Sequence, residues 1–555
     1  MKNVAVQKWL IKAAKKDGWI IILLSLISGI ISLCTVWFAL ISRDVIDIAI
    51  GDVEGVMWQE SAKLIALLVF QALLNIIQSR LNTQVLGQME IRINQSLFKR
   101  LFEKRWPEVN RYHSGDILNR MTSDVSVVVN TMVSLIPRWV SMITRLAACV
   151  VVLLLIDVTF TVILLSVGLA VFGFSRIYGR RMKKIHRECQ ETDGETRSFI
   201  QECVENWMMI QSFGARELIA KRLKFLQNIN FKKKVRRNNI SNFARTAIYV
   251  LFSGSYYVAI AWGSWRLAQG LITFGTLTAF LQIVNQIQLP FRNMSGLAPQ
   301  YYNMLASAER LMEIELLEEE SVPIAKTQVI GLYESMKGIT IDDLSFSYNE
   351  ELVFSHANLY IKKGEFLAIA GHSGIGKSTL LKLLLGFLEP REGSLSLETA
   401  DGAVEVGAYT RALFTYVPQG NMLLSGSVRQ NIMFGNPDAS EEQIMQAVKV
   451  AEISEFISEL PEGIDTILGE RGLGLSEGQV QRIAIARGVL SGAPIIMLDE
   501  ATSALDETTE VQVLKNLRGL EGKTCICVSH RKAALAVCDR ALEVVNGRIE
   551  INKGN

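Results

Sequence analysis

The chain has 555 residues, 49% of them hydrophobic and 20% charged, with 58 Lys plus Arg against 55 Asp plus Glu for a formal net charge of +3. A mean hydropathy of +0.25 is too high for one large soluble enzyme or a disordered chain, and the composition excludes collagen-like, disulfide-scaffold and nucleic-acid-coating proteins. Seven cysteines, at 34, 149, 189, 203, 525, 527 and 538, lack C-x-x-C pairing, which argues against structural zinc.

From Gly18 to Ser42 no charged side chain occurs. That run crosses about 30 Å of hydrocarbon as a helix and exceeds a signal-peptide core. Further apolar segments fall at 61–80, 133–156, 158–176, 246–266 and 271–291, the third and fourth separated only by Asp157. Six spans put both ends of this region on one side. Lys and Arg number five over 1–17, eight over 80–130 and seventeen over 176–245, against none over 44–60 and Arg266 alone in the 266–270 turn. The positive-inside tendency predicts a multi-pass cell-membrane protein with cytosolic termini and two long cytosolic loops. These loops lack Gly/Pro punctuation, so the spans are expected to continue as helices beyond the bilayer. Their tips, at 113–120 and around 195–211, read as docking helices or as plain turns.

Inside the spans, Gln71, Asn75, Gln78 and Asn82 share one face of the second, and Thr278, Gln282 and Asn285 one face of the sixth. At about 1.5 Å per residue, Gln71, Asn75, Gln282, Asn285 and Arg145 all lie roughly 15–21 Å deep. Arg138 stands one heptad further in. The amides read as interhelical hydrogen bonds or as cavity lining, whereas a mid-membrane Arg145 calls for water or an anionic partner.

Around 313–323 the composition turns acidic and the apolar runs end. Strand-like and helix-like segments then alternate, which argues for an α/β domain. The expected organisation is an all-α six-helix transmembrane domain over 1–315, a linker over 316–337 and an α/β P-loop ATPase domain over 338–555. Gly371, His372, Ser373, Gly374, Ile375, Gly376, Lys377, Ser378 and Thr379 follow a strand-like segment and open a helix-like one. This is the setting of a phosphate loop: backbone N–H groups turn onto phosphate oxygens, Lys377 reaches the β- and γ-phosphates, and the Ser378 hydroxyl can ligate magnesium. Farther on, the apolar strand 495–499 ends in two carboxylates. Asp499 suits magnesium or its water shell, and Glu500 suits the group that orients or deprotonates the attacking water.

With these residues stand Leu475-Ser476-Glu477-Gly478-Gln479, Gln419 in Tyr-Val-Pro-Gln, Ser503-Ala-Leu-Asp506, and His530 in Val-Ser-His. Over essentially its whole length the chain resembles a half-size exporter of the ATP-binding cassette (ABC) family, with a type I exporter (type IV transporter) fold. The resemblance implies ATP and Mg2+ as ligands. It implies Tyr348 as the aromatic on adenine, Gln419 as a magnesium and coupling ligand, and His530 as a γ-phosphate contact. Ser476, Gly478 and Gln479 are implied as signature donors and Asp506 as part of the nucleotide site. The segment 466–472 is similar to one that meets membrane-domain loops in such exporters, and Ser114-Gly115-Asp116 resembles their first coupling loop.

One phosphate loop and one signature per chain imply a second half-transporter, identical or not, with each nucleotide sandwiched between the two. A lipid bilayer and a transported peptide, lipid or amphipathic molecule complete the implied partners, and no nucleic acid is among them. The signature helix is expected to begin at Gln479. Glu477 departs from the usual first glycine of the signature pair and adds a carboxylate near an anionic ligand. ATP-driven export is the expected function; a membrane ABC protein in which ATP binding only gates or regulates is the alternative.

Overall fold

The computed structural model describes residues 2–320, 326–372, 374–420, 423–469, 474–545 and 547–551. The chain divides into two compact units, one comprising 1–100 and 113–316, the other 101–112 and 317–555.

The first unit is helical. A short α1 (Lys2–Ala14) precedes α2 (Gly18–Ile50) and α3 (Met57–Phe102), whose last two residues fall in the second unit together with α4 (Trp106–Val109). Then follow α5 (Ser114–Asn119), a π-helical turn at Arg120–Asp124, α6 (Val125–Ile156), α7 (Val158–Glu205), α8 (Trp207–Ser212), α9 (Arg216–Ala268) and α10 (Phe274–Glu315). The six apolar segments lie in α2, α3, α6, α7, α9 and α10, of 33, 46, 32, 48, 53 and 42 residues. At 1.5 Å per residue these run about 50–80 Å, well beyond a bilayer's hydrocarbon. Among the described residues α2, α3 and the stretch Ser114–Ile156 are long and apolar enough to cross a membrane.

Polar side chains fix the helix ends. Asp157 ends α6 and caps α7, its carboxylate accepting from Phe160 N at 3.0 Å, Trp262 Nε1 at 3.1 Å and Arg266 Nε at 2.9 Å. Asp47 of α2, 3% exposed, accepts from Thr273 Oγ1 and Gly275 N, both at 2.8 Å, at the start of α10. A β-carbon on Gly275 would lie 2.4 Å from Arg43 O, so only glycine lets α10 begin there. At its other end α10 meets the π-turn. Buried Arg120 donates to Glu313 Oε2 and Asp116 Oδ2, both at 2.9 Å, and buried Asp124 accepts from Arg310 Nε at 2.7 Å and Ser307 Oγ at 2.8 Å. The apolar core gathers α2, α6, α7, α9 and α10 around Cys149, Leu153, Phe160, Phe280, Ile283 and Ile287.

Some of the polar residues within the spans make the hydrogen bonds expected of them, and others are buried without a partner. Gln78 donates to Ser28 Oγ at 2.8 Å and Gln286 to Thr35 O at 3.0 Å, joining helices, while Asn75 bonds back to Gln71 O at 2.9 Å. Arg145 Nε, Gln282 Oε1 and Gln286 Oε1 are buried without a hydrogen-bond partner among the described residues.

The second unit carries the sheets. Helix α11 (Lys326–Ser335) leads into β1 (Met336–Tyr348), β2 (Glu351–Lys362) and β3 (Phe366–Ala370), then α12 (Lys377–Leu384), β4 (Glu392–Thr399), β5 (Gly402–Glu405) and β6 (Phe414–Val417). The rest comprises β7 (Gly426–Ser427), α13 (Val428–Met433), α14 (Glu441–Val450), α15 (Ser454–Glu459), β8 (Ile467–Leu468), α16 (Glu477–Leu490), β9 (Ile495–Asp499), α17 (Glu507–Arg518), β10 (Thr524–Val528), α18 (Lys532–Val537), β11 (Arg540–Val545) and β12 (Arg548–Ile551). One antiparallel sheet runs β2-β1-β4-β5 and the larger one β12-β11-β3-β10-β9-β6. In the larger, β11, β3, β10, β9 and β6 are parallel. Strands β3, β9 and β10 are buried at every residue, as continuous apolar runs in a parallel sheet require. Cys525 and Cys527 are core filler within β10, and all seven cysteines are free.

Residues 101–112 belong to this unit. Lys104 forms a bridge with Glu319, Glu320 N donates to Glu103 O at 2.8 Å, and Lys104 Nζ reaches Leu317 O at 2.8 Å. The Trp106 ring packs 5.9 Å from Phe387 and under the Lys382 ammonium of α12. Arg411 closes the cluster, lying over Phe387 and pairing with Glu320 through both its terminal nitrogens. The tip of the first loop, 113–120, groups with the helical unit.

Candidate nucleotide site

The site forms where β3, β9 and β10 end side by side. Register pairs Val528 with Asp499 and with Ile369, so the loops after all three strands leave one edge of the sheet, where open α/β sheets bind ligands. After β3 the chain turns through Gly371, Gly374 and Gly376 at φ 138°, 84° and 110°. Gly376 caps α12, whose first residue is Lys377. Lys377 is 7% exposed, and its Nζ donates to Gly371 O at 2.6 Å and lies 3.4 Å from Glu500 Oε1. The Ser378 hydroxyl donates to Asp499 Oδ1 at 3.2 Å. His372 is exposed and Ile375 partly buried, while Ser373 lies outside the described residues. Thr379 is buried, with Tyr348 OH 3.5 Å from its hydroxyl. The Tyr348 ring, 41% exposed, stands nearly perpendicular to Phe346 with ring centres 5.0 Å apart.

Asp499 is 3% exposed and Glu500 follows in the left-handed region at φ 50°. Gln419 Nε2 donates to Glu500 Oε2 at 2.8 Å. Tyr416, the first residue of the Tyr-Val-Pro-Gln motif and not among the expected site residues, donates its hydroxyl to Asp499 Oδ2 at 2.9 Å. Burial first, and the Asp499 charge second, push its phenol well above the ordinary tyrosine range, so it stays a donor. Lys377, Ser378, Gln419, Asp499 and Glu500 thus converge, and His530 is exposed at the end of β10. The Ser378 hydroxyl, the Asp499 carboxylate and the Gln419 amide oxygen are hard oxygen donors. Too few to enclose a cation, they fit magnesium shared with phosphate oxygens and water.

The signature region has its own construction. Helix α16 begins at Glu477, two residues before the expected Gln479, because Ser476 takes the cap: its hydroxyl accepts from Gln479 N at 3.3 Å, and Gln479 Oε1 accepts from Ser476 N at 2.8 Å. Among the described residues, the Ser476 hydroxyl proton and the N–H groups of Glu477 and Gly478 have no acceptor. Glu477 is exposed in the first turn, where the helix dipole favours a carboxylate. A β-carbon on Gly478 would sit 3.0 Å from Ala504 O, which accounts for glycine there. Asp506 caps α17, accepting from Thr508 and from Thr509 N, bonds that hold its carboxyl below the usual carboxylate range. Within 466–472, residues 470–472 lie outside the described ones.

Residues 19–291 match the family model of the ABC transporter transmembrane region, and 354–503 that of the ABC transporter. The chain is 30% identical over 475 residues to an ATP-dependent lipid A-core flippase of Desulfotalea psychrophila, covering 82% of this chain and 81% of that one. It is 29% identical over 542 residues to the protein of the same name in Chromobacterium violaceum, covering 96% and 91%. A solved bacterial Atm1-family ABC exporter with ATP bound superposes with a TM-score of 0.76 over 97% of this chain and 94% of the other, at 23% identity, which speaks to the fold. The chain belongs to the ABC transporter family, as a half-size exporter in which a helical transmembrane region and an ATP-hydrolysing domain are fused in one polypeptide.

Proposed function

We propose that the protein exports a peptide, lipid or amphipathic small molecule across the cytoplasmic membrane by alternating access. ATP is hydrolysed at a composite site between two nucleotide-binding domains, in a homodimer or heterodimer. The observation that carries this reading is the convergence of Lys377, Ser378, Gln419, Asp499 and Glu500 at one sheet edge. In this reading Gly371, Gly374 and Gly376 let the loop's N–H groups face the phosphates, and Lys377 leaves the loop carbonyls for the β- and γ-phosphates. Bound magnesium, held by Ser378, Asp499 and Gln419, would neutralise developing phosphate charge. Glu500 orients water in line with the γ-phosphate, and His530 donates to that phosphate. Ser476 and Gly478 of the second chain close over it, and Tyr348 stacks on the adenine. Termini and nucleotide-binding domain are cytosolic in this arrangement, supported by the Lys/Arg bias of the loops.

Arg138 and Arg145 support an anionic or amphipathic cargo, since neither has an ion-pair partner among the described residues and Arg145 Nε is buried without a hydrogen bond. The flippase names of two relatives point the same way. Glu500→Gln is expected to lower ATP turnover about 100- to 10,000-fold, the range of a positioned general base, with ATP binding retained. Turnover near wild type would remove Glu500 from the role. Arg145→Ala is expected to abolish stimulation of the ATPase by an acidic amphiphile in proteoliposomes while basal turnover persists. Unchanged stimulation would remove the preference for anionic cargo.

A further inference from the structure

The turn 500–505, which follows the two carboxylates, is held from three directions. Its own backbone closes it, with Ser503 N donating to Glu500 O and Leu505 N to Thr502 O, both at 3.1 Å. From the signature helix α16, Gln481, 2% exposed, donates Nε2 to Ser503 Oγ at 3.2 Å and accepts from Ala504 N at 3.0 Å. From the opposite side comes Arg531, the residue after His530. It donates to Leu505 O at 2.6 Å, to Ser503 O at 2.5 Å and to Glu510 Oε2 at 3.0 Å. Glu510 is fully buried in α17, and its other oxygen accepts from Thr502 Oγ1 at 2.6 Å.

One planar guanidinium therefore grips the second half, Ser503 and Leu505, of a turn whose first residue is the left-handed Glu500. That backbone is unfavourable for a residue with a β-carbon and persists because its surroundings over-determine it. A lysine could pair with Glu510 but its single ammonium cannot meet two carbonyls and a carboxylate in fixed fork geometry. A buried ion pair by itself is weak evidence for stability. What this one fixes is the place of Ser503 and Leu505, and through Ser503 N the Glu500 backbone.

We infer that Arg531 is a positioning residue for ATP hydrolysis: through the Ser503 and Leu505 carbonyls it locks the 500–505 turn between Glu500 and the start of α16. The carboxylate facing this chain's own phosphate loop and the signature offered to the second chain are then set by one rigid segment. The inference rests on the reading of Glu500 as the group that orients water.

The test uses the full-length chain in its assembled complex in nanodiscs, measuring ATP turnover, KM for ATP and nucleotide-binding stoichiometry. Arg531→Lys is expected to lower kcat about tenfold with KM within about twofold and full binding stoichiometry. Gln481→Met, which removes the opposite grip at similar volume, is expected to act in the same direction. The double variant should cost no more than about twofold beyond the worse single, because both substitutions release one turn. Wild-type kcat in Arg531→Lys overturns the inference. So does a kcat loss that merely follows loss of nucleotide-binding protein, and so does a double variant whose effects multiply. If Glu500→Gln is inactive while Arg531→Lys turns over normally, this inference alone fails; if Glu500→Gln is active, the reading beneath it fails.

Discussion

Replacing Gly376 by alanine tests the phosphate loop through geometry rather than charge. The residue caps α12 at φ 110°, beyond the small left-handed island open to L-residues. The backbone term alone is about 1–2 kcal/mol. A β-carbon there would lie 2.6 Å from Val353 Cγ1 and 3.2 Å from Phe354 Cζ. Phe354 is fully buried and Val353 is stiff at its β-branch, so neither yields freely. Overpacking of this kind adds about 1–3 kcal/mol, for a total of about 2–5 kcal/mol. Because Lys377 and Ser378 come next, the strain should appear in nucleotide affinity, where even about 2 kcal/mol is close to thirtyfold in Kd. Binding of a fluorescent ATP analogue and thermal melting would be measured together. Adding Val353→Ala removes the closest contact and should recover about 1–2 kcal/mol, leaving the backbone term and the Phe354 contact. Unchanged affinity and melting in Gly376→Ala, or no recovery in the double variant, would refute the reasoning.

The carboxyl of Asp124 supplies a pH dependence. Burial works against its ionisation, but hydrogen bonds from Arg310 and Ser307 and the charges of Arg310 and Arg120 outweigh it, so its pKa lies below the ordinary carboxylate range. Its contribution is therefore complete above about pH 4 and is lost as pH falls through the depressed native value. Thermal midpoints from pH 7 downward should show that loss in wild type and a flatter profile in Asp124→Asn; identical profiles would exclude it. Lys104→Met leaves Leu317 O without its buried donor, at about 1–2 kcal/mol. The expected outcome is a melting point lower by a few degrees and faster cleavage at Glu318–Glu320 by a glutamate-specific protease; unaltered cleavage would show that the bridge holds nothing in place.

The six apolar runs and the phosphate loop were legible because each is local: a span is a continuous stretch, and Gly371 to Thr379 act through their own backbone. The continuation of α7 and α9 beyond their apolar windows was legible from the lack of Gly/Pro punctuation in the loops, but where each helix ends was not, since 232–237 carries only Val235 among five cations and shows no apolar period. Tyr416, Gln481 and Arg531 escaped notice because their partners lie 83, 22 and 21 to 28 residues away, and nothing in a single sequence pairs them. Glu510 did leave a trace. It shares the i, i+3, i+4, i+7 face of α17 with the buried Val513, Leu514 and Leu517, and a carboxylate there needs a cation from another segment. The assignment of 101–112 had no such trace, because a bridge between Lys104 and Glu319 has no local period.

That bridge makes the ATPase unit discontinuous in the chain. A fragment severed at 317 would leave behind Trp106, so that Phe387 keeps Arg411 but loses its aromatic neighbour, and the backbone of Glu320 would lose its acceptor at Glu103. An excised cassette would therefore carry a partly uncovered aromatic beside the helix that starts at the phosphate loop, and its solubility and nucleotide affinity are expected to reflect that injury as much as the enzyme.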